Sequence, residues 1–174
     1  MSIITTINFD LDFWELYPNL AHIEEFKFIK TKYKNSSKVM WFIIGCFDLS
    51  TNNIFRDLTF EDKTYILGKD LLGDEKFYSK NDKNLDAAIQ RFISFDTAAK
   101  RHLRQWVETL EKRTVFLKDA EYSFDNFEKL DKMAANTSNI FKTFNEIDKQ
   151  LNKEESGSTT KGGYVPSMND NDEF

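Results

Sequence analysis

Cysteine and histidine are scarce in this sequence. Cys46 is the single cysteine among 174 residues, and His22 and His102 are its histidines. One thiol excludes a disulfide within the chain, which suits a reducing or redox-indifferent environment. These three side chains also fall short of the four-ligand sets that structural zinc sites use. The sequence therefore predicts no cofactor and no metal.

Proline, glycine and long apolar runs are scarce as well. The chain has 2 Pro and 6 Gly, which leaves few turn positions and favours long helices. The longest apolar run, VMWFIIGCF at 39–47, is far shorter than the roughly 20 residues that a membrane helix needs. The first residues, MSIITTINFD, lack the basic start and the apolar core of a signal peptide. We expect neither a membrane segment nor a secretion signal.

Two segments approach known ligand-binding motifs and fail at the required positions. Gly68 and Gly73 have the glycine spacing of a phosphate loop, but Asp74 and Glu75 follow where Lys and Ser or Thr are required. The run 82–93 begins like a calcium loop, yet it has alanine at the position of the turn glycine and isoleucine at the position of the bidentate Glu. No familiar nucleophile–base motif is present. The sequence thus favours a protein that is not an enzyme, without catalytic residues.

The most regular feature is an amphipathic stretch at 96–121. Apolar and small residues recur there every three or four positions, as on one face of a helix, namely Leu103, Trp106, Leu110, Thr114 and Leu117. A second stretch, 124–153, has a heptad-like apolar seam that is weakest at 134–139, where the helix can kink. Because the link at 122–123 is short, we predict a hairpin of two long helices. An oligomer contact is the alternative use of the seam.

The remaining chain is also predicted to be helical. The run 39–47 is apolar on every side, so its periodicity does not distinguish a buried helix from a buried strand. We prefer a helix because the neighbouring segments have helical patterns, at 19–34, 59–72 and 85–93. The predicted fold is all-α, a helical bundle around the two long helices. Its parts are an extended N-terminal arm at 1–18, a helical domain at 19–153 and a flexible acidic tail at 154–174.

The central helix carries a basic band that has two interpretations. Its members are Lys100, Arg101, Arg104, Lys112 and Arg113. Interleaved with Trp106, they are suited to contact the phosphates of DNA. Alternatively, they pair with acidic residues of this chain, as Glu108 does with Lys112 four positions later. We favour pairing within the chain, because the net charge of −5 gives no support for broad nucleic-acid affinity.

The two ends of the chain hold the candidate partner-binding residues. Phe13 and Trp14 lie in a dense aromatic segment, where core burial and insertion into a partner are equally good interpretations. The tail begins with a linker-like composition and contains apolar residues in an otherwise polar tract. It has the form of a tether with a short docking peptide, whose candidate contact residues are Tyr164, Val165, Pro166 and Phe174.

Four segments together resemble a known group of proteins. They are IFRDLTFEDKTYILGKDLLGDEKF at 54–77, AAIQRF at 87–92, RQWVETLEKRTVFL at 104–117 and FEKLDKMAANTSNIF at 127–141. In their order and their pattern of helices and charges they resemble small helical virion proteins of tailed bacteriophages, in particular the crAss-like group. The likeness covers about half of the chain and contains no diagnostic motif.

The resemblance implies a structural or assembly protein of the virion, accessory to the portal or capsid. Such a protein binds other virion proteins, is present in several copies, and passes through the host cytoplasm during assembly. No catalytic or cofactor residues carry over. The alternative function is a helical nucleic-acid-binding protein of phage DNA packaging or replication, which would use the basic band.

Overall fold

The structure is a computed structural model and describes residues 7–80, 82–121 and 125–160. Within these ranges the chain is helical and has no β-strand, so the all-α prediction is confirmed. Short 3-10 helices lie at Pro18–His22 and Tyr78–Lys80. The α-helices are α1 (Phe13–Leu16), α2 (Glu24–Lys32), α3 (Ser36–Phe47), α4 (Phe60–Leu72), α5 (Lys83–Ile93), α6 (Ala98–Asp119), α7 (Phe127–Ala135) and α8 (Thr137–Thr160).

Helix α3 is the centre of the N-terminal half. Its residues from Val39 to Cys46 are buried on every side, as expected for a helix that is apolar all round. Helices α1, α2, α4 and α5 pack around it, and its side chains belong to the two apolar clusters of this half. The preference for a helix at 39–47 is therefore confirmed. We call α1 to α5 the head.

Local sequence signals set the ends of α4. The side chain of Thr59 accepts a hydrogen bond from the backbone N–H of Asp62, at 3.2 Å, and so caps the first turn. Gly73 ends the helix in the left-handed conformation, with φ of 67°, which glycine adopts without a steric penalty. Both signals were readable in the sequence, and the predicted helix at 59–72 is confirmed.

Helices α6, α7 and α8 form a C-terminal layer. Helix α6 packs against α8 around a small apolar cluster. Leu49, in the loop after α3, also belongs to this cluster. The stretch predicted as one helix at 124–153 is divided at Asn136 between α7 and α8, inside the weak part of its seam. The hairpin of two long helices stays a prediction. Helix α8 continues to Thr160, past the predicted start of the tail at 154, and the division of the chain into arm, helical domain and tail stays a prediction.

The partly exposed carboxylate of Asp82 joins α2 to α5. Asp82 accepts hydrogen bonds from Lys32 Nζ and from the Tyr33 hydroxyl, and it caps α5 by accepting from the backbone N–H of Asn84 at 3.0 Å. The hydrogen bonds from Lys32 and Tyr33 hold the pKa of Asp82 well below the usual range of an aspartate. The carboxylate therefore ties the two helices together in its ionised form.

A buried amide fixes the loop between α3 and α4. Asn53 Nδ2 donates to the carbonyl oxygens of Gly45 and Asp48, at 3.0 and 2.7 Å. Asn53 Oδ1 accepts from the backbone N–H of Phe55 at 3.1 Å. The last carbonyls of a helix lack partners within the helix, so this side chain completes the end of α3 and also sets the direction of the loop.

We expect Asn53→Ala to lower the free energy of unfolding by about 2 kcal/mol, because it leaves buried carbonyl groups without donors. Urea denaturation measures the change. Asn52→Ala is the matched control, since Asn52 is exposed, and it should change the value by less than about 0.5 kcal/mol. Equal effects of the two substitutions would contradict the role given to Asn53.

Candidate functional site

A buried ion pair lies where the head meets the C-terminal layer. Lys100, in the first turn of α6, donates from Nζ to Asp48 Oδ1 at 2.6 Å. Lys100 is 4% exposed and Asp48 is 2% exposed. The Ser50 hydroxyl donates to the other oxygen of Asp48, so the carboxylate has a partner on each side. The pair joins residues 52 positions apart in the chain.

Asp96 and Arg104 extend this pair along the same face of α6. Arg104 donates from Nε and Nη2 to Asp96 Oδ2, at 3.0 and 2.8 Å, and from Nη2 to the carbonyl of Phe47 at 2.9 Å. Burial raises the pKa of Asp96, and the Arg104 guanidinium opposes that rise. We call Asp48, Asp96, Lys100 and Arg104 the charge seam.

The rest of the basic band is also engaged within the chain. Arg101 donates from Nη1 to the carbonyl of Asp96 at 2.9 Å. Lys112 pairs with Glu108 at 2.5 Å on the exposed face of α6, and Arg113 donates to the carbonyl of Met133 in α7. The structure therefore does not assemble the five cations into one basic surface. Their positions agree with pairing within the chain, and their use as phosphate contacts stays a prediction.

One further ion pair holds the C-terminal layer on the head, and a hydrogen bond within the head supports it. Arg56, in the loop after α3, has Nη2 2.8 Å from Asp148 Oδ1 of α8, although the two groups are not aligned as a hydrogen bond. Lys63 donates from Nζ to the carbonyl of Arg56 at 2.8 Å, and burial lowers the pKa of Lys63. No pattern in the sequence distinguishes Arg56 or Lys63 as a contact residue. Asp48 has one such signal, because a charged residue there directly follows the apolar run at 39–47.

Phe13 and Trp14 are not available to a partner in this structure. Both side chains are buried in the head. The backbone N–H of Phe13 donates to Ser37 Oγ at 2.8 Å, and Trp14 Nε1 donates to Ser36 Oγ at 3.0 Å. The core interpretation therefore replaces their use as partner contacts. The four candidates of the tail, from Tyr164 to Phe174, lie outside the described residues.

Several large apolar side chains remain in solvent on this framework. Ile54 is 79% exposed in the loop after α3. Val115 and Phe116 are 59% and 54% exposed near the end of α6, and Phe141 is 53% exposed on α8. Large apolar side chains in solvent gain free energy when another apolar surface covers them, so these positions are candidate contact sites.

The cysteine, the histidines and the other possible metal ligands indicate no further site. Burial raises the pKa of Cys46 to about 12, so its thiol stays protonated at neutral pH and is a poor nucleophile. His22 and His102 lie apart on exposed positions. In the three described ranges, no group of His, Cys, Asp or Glu side chains could hold a metal ion. Over the same residues, no helix has the length and apolar character to cross a membrane.

Comparison with known proteins yields no relative. No family model matches the sequence, and neither the curated proteins nor the solved structures contain a match to it.

Lys100→Met should lower the free energy of unfolding by about 3–5 kcal/mol, because it leaves the charge of Asp48 buried without its partner. Adding Asp48→Asn should recover part of this loss, since the uncompensated charge is then removed. Lys112→Met is the control, because the Lys112–Glu108 pair is exposed, and it should have little effect. Chemical denaturation of these three variants and of Asp48→Asn alone measures the coupling, and additive effects at Asp48 and Lys100 would contradict a buried pair.

Proposed function

We propose that this chain is a non-enzymatic structural or assembly protein of a bacteriophage virion, accessory to the portal or capsid. The observation that carries the proposal is the exposure of Val115, Phe116 and Phe141. These residues lie on helices that ion pairs and hydrogen bonds hold against the head. Large apolar side chains in solvent are a feature of protein-binding surfaces. The resemblance to helical phage virion proteins supplies the class of partner.

The charge seam supports a binding role in preference to a catalytic one. Asp48, Asp96 and Lys100 are buried, and the charged groups of the seam form ion pairs with one another. They therefore hold helices together and are not turned toward a substrate. A framework held in this way loses little conformational entropy when its surface binds a partner. Rigid helical faces are therefore suited to repeated contacts in a large assembly.

The finer parts of the proposal concern the C-terminal half. Here α6 and α8 act as a hairpin that presents the exposed apolar residues to neighbouring subunits. The tail residues Tyr164, Val165, Pro166 and Phe174 act as a docking peptide for another virion protein. The chain is present in several copies in the particle and occupies the host cytoplasm during assembly. The nucleic-acid alternative receives no support from the geometry, because the basic band is engaged within the chain.

Purified phage particles provide the test of this function. We expect mass spectrometry to find the chain in fixed proportion to the portal or capsid proteins. Phages that carry Val115→Ser with Phe116→Ser should incorporate several-fold less of it, because the apolar contact is lost. Truncation after Thr160 should also weaken incorporation and leave the body folded by circular dichroism.

The matched control is Glu108→Gln with Lys112→Gln, which changes the same helix at an exposed ion pair. These variants should be incorporated normally. Absence of the chain from particles, or equal incorporation of all variants, would overturn the proposal.

A further inference from the structure

The two ends of helix α3 carry surfaces of opposite charge. Helix α3 has 12 residues, so its ends lie about 18 Å apart at 1.5 Å per residue. The last turn of α2 and the turn into α3 surround its first end. The loop after α3 and the first turn of α4 surround its second end. The two surfaces therefore lie at different ends of this helix.

The surface at the second end is acidic and apolar, and we call it the acidic end. It consists of Ile54, Asp57, Leu58, Phe60 and Glu61, all exposed. The buried Asn53 fixes the backbone beside Ile54, and Lys63 anchors the carbonyl of the loop residue Arg56. Ile54 is thus an apolar projection on a loop that is already ordered. Such preorganisation lowers the entropic cost of binding.

The surface at the first end is basic, and we call it the basic end. It consists of Lys27, Phe28, Lys30, Lys34 and Lys38, all exposed. None of these lysines forms an ion pair with any residue in the described ranges. Lys30 instead lies 5.2 Å from the centre of the Trp14 ring. Their charges are therefore available to an acidic surface outside the chain.

A cavity of about 350 Å³ opens at the basic end. Phe9 and Leu11 line it together with Lys34 and Lys38, and Asp10 and Asp12 lie on its wall too. Asp12 is already engaged, because it accepts from the backbone N–H groups of Trp14 and Glu15 at 2.8 and 3.1 Å. The cavity has room for an aliphatic side chain beside Phe9 and Leu11, while its other lining residues are polar and include two lysines and two aspartates.

We propose that copies of this chain associate head to tail, the acidic end of one copy binding the basic end of the next. Ile54 enters the cavity at the basic end, and Asp57 and Glu61 meet Lys34 and Lys38. Because the two surfaces lie at opposite ends of α3, one chain does not satisfy its own pair. A contact between different surfaces leaves one of each free, so it adds copies until a ring closes or a filament grows.

This inference deepens the proposed function, since it names a second copy as one partner, but it does not depend on the location in a virion. The charges at both ends are exposed, so salt screens their attraction. We expect the association of the full-length chain to weaken as the salt concentration rises, and to strengthen with protein concentration.

Sedimentation velocity on the full-length chain tests the proposal with two paired variants. The acidic-end variant is Ile54→Ser with Glu61→Gln, and the basic-end variant is Lys34→Gln with Lys38→Gln. Each should weaken self-association at least about tenfold, as expected when central contacts are lost. Each variant keeps one intact surface, so an equimolar mixture of the two should form a dimer and stop there. Circular dichroism checks that both remain folded.

The control is Glu108→Gln with Lys112→Gln, which removes one charge of each sign from an exposed pair on α6, away from both ends of α3. It should associate like the unaltered chain. A chain that stays monomeric at high concentration and low salt would overturn the proposal. So would assembly that both end variants retain, or a mixture that yields no dimer. Self-association of an unaltered chain that is absent from purified virions would instead count against the proposed function alone.

Discussion

The buried ion pair between Asp48 and Lys100 determines how the two halves of this protein meet. Two charges removed from water are stable only when each has a close partner and further hydrogen bonds. The geometry meets this condition, since Asp48 also accepts from Ser50 and the neighbouring Arg104 binds both Asp96 and the carbonyl of Phe47. The start of α6 is thereby fixed against the end of α3.

This arrangement changes the meaning of the basic band. Cations that lie on one amphipathic helix suggest a surface for phosphates when only their sequence is considered. In the fold, the cations near the start of α6 are turned toward the head, and those farther along meet Glu108 or a carbonyl of α7. Further exposed charges lie at the two ends of α3. The association and the virion role that we propose use these ends and the exposed apolar residues.

Sequence patterns predicted the elements whose signals are local. Thr59 and Gly73 mark α4 because capping depends on neighbouring residues, and the apolar run of α3 predicts a buried element. The charge seam was beyond such patterns, since Lys100 and Asp48 are 52 positions apart and only packing brings them together. The same holds for Phe13 and Trp14, because an aromatic pair has the same sequence whether it fills a core or awaits a partner. The break between α7 and α8 at Asn136 lies where the apolar seam is weakest, at 134–139. The sequence pattern indicates only that the helix can kink there.

Native-state hydrogen exchange tests most directly whether the charge seam joins the two halves. If it does, backbone amides at 101–104 of α6 should share the slow exchange of α3 at 42–47, because both then open only in global unfolding. Amides near the exposed end of α6, at 113–119, should exchange faster. Fast exchange at 101–104, with α3 still protected, would show that the C-terminal layer opens independently and would contradict the account.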